Sequence, residues 1–161
     1  MLSVFDGLRD VTTLSVFVRL ACALICGGII GIERSYKRRP AGFRTHILIC
    51  IGAAITTLTS QYLYLNMHYF TDMARLGAQV VAGIGFIGAG TIIVTKRQRV
   101  KGLTTAAGLW TSAIIGLTFG GGFYEGGILA TVFIMLAELV FSRIEYRVLE
   151  NVPEINLYME Y

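Results

Sequence analysis

Five stretches of about 20 apolar residues, separated by short polar or glycine-rich breaks, leave this chain few ways to fold. They run Leu14–Ile32, His46–Leu65, Leu76–Thr95, Leu103–Phe119 and Phe123–Phe141. A soluble core formed by 161 residues cannot bury a chain that is 55% hydrophobic. Only 15% of residues are charged, against about 25% in soluble domains. The expected class is an all-α membrane protein with five transmembrane helices in residues 1–141 and a tail over 142–161.

Basic residues set the expected orientation. Arg34, Lys37, Arg38, Arg39 and Arg44 follow the first span, Lys96, Arg97, Arg99 and Lys101 follow the third, and Arg143 and Arg147 follow the fifth. The second loop carries only Arg75, and the fourth, "GGGFYEGG", has no basic residue. The positive-inside rule then puts the N-terminus outside and the C-terminus in the cytoplasm. The net charge of +4 is explained by topology and contact with anionic lipid, so the expected partner is the bilayer and not nucleic acid. The opening "MLSVFDGLRD" carries Asp6 and Asp10 and no basic n-region, so it reads as a short surface helix and not a cleavable signal.

The glycines of "AGIGFIGAGTIIV" (82–94) spell G-x-G-x-x-G. A dinucleotide site needs an acidic residue about 20 positions on, and no Asp or Glu lies between Asp72 and Glu125. In lipid, small residues mark close helix contacts. Gly83, Gly85, Gly88 and Gly90 are therefore read as packing positions on a central third helix, with Gly27-x-x-x-Gly31 on the first. Thr104, Gly108, Ser112 and Gly116 continue the pattern on the fourth. Cys22, Cys26 and Cys50 are read as small apolar fillers. Metal ligands remain unknown from sequence, and no cofactor is expected.

Ionisable residues at membrane depth default to functional candidates. Arg19, Gln61, Gln79 and Glu125 fall in an outer layer, and Arg19 is expected to pair with Gln79 or Glu125. Glu33, Arg34, Arg44, Thr45, His46 and Arg99 come from separate segments to the inner ends of spans one to four, with Glu138 at similar depth. An ion pair of Glu33 with Arg34 and Arg44, next to His46, is the expected centre. It either binds an anionic group or a partner helix, or clamps the first two spans. Thr45 and Thr104 are candidate helix caps. No catalytic constellation is evident, so an enzyme is not expected.

Three blocks carry a family resemblance: "GIERSYKRRPAGFRTHILICIGAA", "AQVVAGIGFIGAGTIIV" and "VKGLTTAAGLWTSAIIGL". In this order they resemble the MgtC/SapB family of bacterial inner-membrane proteins. The resemblance implies an inner-membrane location and a role in growth under magnesium limitation. It also implies action through contacts with other membrane complexes, such as the ATP synthase, with a Mg²⁺ channel or transporter as the alternative. Magnesium contact is possible on this reading. Thr104 and Thr111 stand where virulence-associated members carry Asn and Cys, which favours a housekeeping relative. The alternation in "EINLYMEY" resembles the first strand of the ACT-like domain that continues many relatives. Small-residue faces on both sides of the third span suggest a homodimer or higher oligomer.

Overall fold

A computed structural model describes residues 3–68, 72–96 and 100–150. The described chain is mostly helical. Its elements in order are a 3-10 helix (Ser3–Leu8), α1 (Thr13–Tyr36), α2 (Phe43–Leu65), α3 (Arg75–Ala89), β1 (Ile93–Val94), β2 (Val100–Lys101), α4 (Leu103–Gly120) and α5 (Tyr124–Leu136). A π-helical turn (Ala137–Phe141) then leads into α6 (Ser142–Glu150). The strand expected in 154–161 lies outside the described residues.

Among the described residues four helices are long and apolar enough to cross a membrane: α1, α2, α4 and the run Tyr124–Ile144. The expected third span, 76–95, is instead a 15-residue helix followed by a hairpin. The cause is local. Past Ala89 the backbone tightens, with Thr91 N donating to Gly88 O at 2.9 Å and Ile92 N to Ala89 O at 3.0 Å. Thr91 Oγ1 also donates to Gly88 O at 2.8 Å, engaging a carbonyl the helix leaves free. β1 and β2 then pair antiparallel, Ile93 opposite Lys101 and Val94 opposite Val100. Gly102 closes this hairpin onto α4 at φ +97°, where any Cβ would strike the Thr91 carbonyl.

The bundle is centred on α4 and not, as the glycine pattern suggested, on α3. Half of α4's apolar window is buried, against 11% for the window over Tyr124–Ile144. α2 packs on α1 and α4, while α3 lies against α4 and α2 with most of its surface exposed. Small residues allow these approaches. An added Cβ at Gly27 would come within 2.9 Å of Cys50 Cβ, and at Gly31 within 2.7 Å of Phe43 Cα. At Gly116 it would sit 2.8 Å from Ala53 Cβ, and at Gly120 2.9 Å from Ala54 Cα. Cys26 and Cys50 fill the same core with Ala23, Ala54, Ile115 and Phe119.

Gly83 and Gly85 behave differently: nothing lies within 4 Å of an added Cβ at either position. Gly90 would meet only carbonyls of its own segment, and Gly88 would meet Ala106 Cβ at 3.4 Å. Among the described residues, then, the third-span glycines that face a neighbouring helix are Gly88 and, nearer the start of α3, Gly77, whose added Cβ would meet Leu117 of α4 at 3.6 Å. Some buried hydroxyls are satisfied by their own helices, as where Ser112 Oγ donates to Gly108 O at 2.9 Å and Thr131 Oγ1 to Gly127 O at 2.8 Å, while Ser60 Oγ donates outside its helix to Met73 O at 2.7 Å.

Candidate functional site

At the C-terminal end of α1, Glu33 and Arg34 project on adjacent positions into the bundle, 7% and 1% exposed. Glu33 Oε2 accepts from Arg34 Nε at 2.5 Å, and Glu33 Oε1 pairs with Lys37 Nζ at 2.8 Å, one helical turn on. Arg34 Nη2 in turn pairs with Glu138 Oε2 from the π-helical turn. Lys37 closes the ring by donating to the Glu138 carbonyl at 2.6 Å. Two cations and two carboxylates thus form a closed, neutral circuit between α1 and the last helix. Charges this far from water persist only with such compensation.

His46, fully buried on α2, joins from the side. Its Nδ1 lies 2.9 Å from Gly42 O. A carbonyl oxygen only accepts, so Nδ1 carries the proton. Its Nε2 has no hydrogen-bond partner among the described residues and faces α4, where an added Cβ on Gly108 would stand 3.6 Å away. Arg34 Nη1 is likewise buried without a hydrogen-bond partner.

The expected members of this cluster separate into two groups. Glu33, Arg34 and His46 come together at one end of the bundle. Arg44 is exposed and makes no ion pair among the described residues, so the expected Glu33–Arg44 pair does not form. The reason is that Arg34 and Lys37, both on Glu33's own helix, take both of its oxygens. Thr45 is part-exposed, and Gly42 and Gly102 occupy the N-cap positions of α2 and α4, so neither Thr45 nor Thr104 caps its helix. Arg99 lies outside the described residues. Lys37 was absent from the expected set, although its four-residue spacing from Glu33 is the signal that identifies it.

The opposite end is built on Arg19, also fully buried. Its Nη1 donates to Gln61 Oε1 at 2.7 Å and Gly120 O at 2.8 Å, and its Nη2 to Arg9 O at 2.6 Å and Leu8 O at 3.3 Å. The expected partners are elsewhere. Gln79 is exposed on α3, and Glu125 accepts from Arg9 Nη2 at 2.7 Å. The N-terminal segment displaces them by folding across the bundle end, with Phe5 stacked on Tyr124 at 4.9 Å and Tyr124 Oη donating to Leu8 O. Partial desolvation opposes the charge on Arg9, but Asp6 and Glu125 outweigh it and hold the guanidinium above its ordinary value.

Among the described residues no group of three or more His, Cys, Asp or Glu side chains converges as a metal site would require. The described carboxylates at membrane depth, Glu33, Glu125 and Glu138, are each paired with a cation.

A family model for the MgtC family matches residues 20–147, which takes in Arg19's partners Gln61 on α2 and Gly120 on α4 and the whole of the ion-pair circuit. The chain belongs to the MgtC family. Among its relatives, the putative magnesium transporter YhiD of Escherichia coli K12 is 42% identical over 143 residues, covering 86% of this chain and 66% of the relative. An uncharacterized protein of Haemophilus influenzae is 40% identical over 129 residues, covering 77% and 54%. Protein MgtC of Salmonella typhimurium LT2 is 37% identical over 131 residues, covering 81% and 54%. This MgtC-family chain therefore spans between about half and two thirds of the length of these relatives. No solved structure matches it.

Proposed function

We propose that this MgtC-family chain is a non-enzymatic regulator in magnesium homeostasis and adaptation to low magnesium. It acts through helix contacts with copies of itself and with other membrane complexes, the ATP synthase being one candidate. It sits in the bacterial inner membrane with α3 as the third of five crossings, N-terminus outside and C-terminus cytoplasmic, as the distribution of Lys and Arg favours.

The observation that carries this reading is the bare face of α3. Ala78, Ala82, Gly83 and Gly85 are exposed, and no atom approaches an added Cβ at either glycine. In lipid, apolar side chains gain nothing from leaving the solvent, so a small-residue face is where another helix seats closely. The polar circuit supplies the second contact. Arg34 Nη1 can donate there to an anionic group, and the His46 Nε2 lone pair can accept from a donor at the polar end of a partner helix.

The test is Gly85→Leu. Its side chain enters open space, so thermal stability in detergent is expected to hold while cross-linked oligomers and partner capture fall and growth rescue in low magnesium is lost. A variant that associates and rescues like the parent overturns the reading. The second reading, a Mg²⁺ channel or transporter, is favoured by the name carried by the E. coli relative. Purified protein in liposomes separates the two. The regulator shows no Mg²⁺ entry above empty liposomes, and saturable entry establishes the transporter.

A further inference from the structure

The hairpin between α3 and α4 has a problem that water alone does not solve. Two strands of two residues each bury nothing: Ile93, Val94 and Val100 are 62%, 67% and 51% exposed. An isolated two-stranded ribbon is marginal in water, and its unpaired edge groups are costly in hydrocarbon. Its place therefore lies between the two, at the level of lipid headgroups.

Length leads to the same level. α3 has 15 residues, about 22 Å at 1.5 Å per residue, against a hydrocarbon core of about 30 Å. If α3 enters at Arg75, it ends short of the far boundary by about 8 Å, a gap that the turn past Ala89 and the extended pair Ile93–Val94 span. Charge then complements what the apolar tip would meet. Residues 95–101, "TKRQRVK", hold four cations and no carboxylate, and Lys96 and Lys101 are both exposed. Alternation gives the ribbon two faces, one apolar with Val94 opposite Val100 and one mixed with Ile93 opposite Lys101.

We infer that the β1–β2 hairpin is an anionic-phospholipid binding element, with its Val94–Val100 face in the acyl boundary and Lys96 and Lys101 on lipid phosphates. This goes beyond the regulator reading, because it concerns lipid and not a protein partner. It relies only on α3 crossing the bilayer.

The test labels the full chain at Val94→Cys, in a Cys22→Ala background, with an environment-sensitive fluorophore; Cys26 and Cys50 are buried. The protein in neutral detergent is titrated with phosphatidylglycerol, with phosphatidylcholine, and with free glycerol phosphate. A saturable blue shift with phosphatidylglycerol alone is expected, and Lys96→Gln/Lys101→Gln should raise its half-saturation by roughly 30-fold, taking each lysine near a phosphate at its usual worth. An equal response to both lipids, a response to free glycerol phosphate, or indifference to the double substitution overturns the assignment. A shift that follows protein concentration instead of lipid reassigns the face to a second copy, and also overturns it. Loss of Mg²⁺-related growth in Gly85→Leu would leave this titration unchanged, so the two proposals fail separately.

Discussion

Two buried arginines on α1 stand about 22 Å apart along the helix axis, and the protein neutralises them in opposite ways. Arg19 is held by three backbone carbonyls and one amide, with no carboxylate among its hydrogen-bond partners in the described residues. Arg34 is held by two carboxylates and keeps one nitrogen without a hydrogen-bond partner among the described residues. The first arrangement uses dipoles fixed by the fold, at the C-terminus of α4 and along the N-terminal segment, so it ties that segment to the end of α4. The second uses side chains that hold each other. Because its partners are side chains and not the backbone, a group that competes for one of them would rearrange it.

The largest expected effect comes from breaking the second arrangement on one side. Arg34→Met strands Glu33 and Glu138 without their shared cation, and the loss of stability should be about 3–5 kcal/mol, the range for an orphaned buried charge. Equilibrium unfolding in detergent measures it. Arg19→Met removes hydrogen bonds to neutral acceptors only, so about 2–3 kcal/mol is expected, accompanied by faster proteolytic release of the N-terminal segment. If Arg19→Met proves the more damaging, the contrast between dipoles and charges is wrong.

A smaller contrast sharpens the account of packing. Gly116→Ala pushes a methyl against α2 and should cost about 1–3 kcal/mol by overpacking, whereas Gly83→Ala enters open space and should be neutral or stabilising by up to about 1 kcal/mol. Equal losses at the two sites would mean that α3 packs more tightly than described. The smallest effect is expected at exposed Arg44, where Arg44→Gln should change stability by no more than about 0.5 kcal/mol. Growth lost in low magnesium with stability intact would return Arg44 to the site by way of an external ligand.

Hydropathy was sufficient for α1, α2, α4 and the run that begins at Tyr124, because a 20-residue apolar length has one common solution in lipid. It failed at residues 90–94, where "GTIIV" is as apolar as a helix but folds into a turn and a strand. Apolarity does not encode period over so short a run. The glycines of α3 were visible, but which of them touch a neighbour was not, since spacing gives a face and not what lies opposite it. At the polar sites, adjacency made Glu33–Arg34 legible and four-residue spacing would have supplied Lys37. The acceptors of Arg19 were hidden for a simpler reason: three of the four are backbone carbonyls, which no residue letter announces.

The π-helical turn at Ala137–Phe141 gives the last helix two phases. Each such turn takes in one residue more than an α-turn, so the rod beyond Phe141 is wound about 100° out of step with the rod before it. A stripe drawn from Tyr124 to Leu136 does not continue onto α6; it resumes on a different side at Ser142. The offset occurs where Glu138 meets Arg34 and where Lys37 takes the Glu138 carbonyl. The ion-pair circuit is therefore also an angular setting, fixing the bearing at which α6 leaves the bundle.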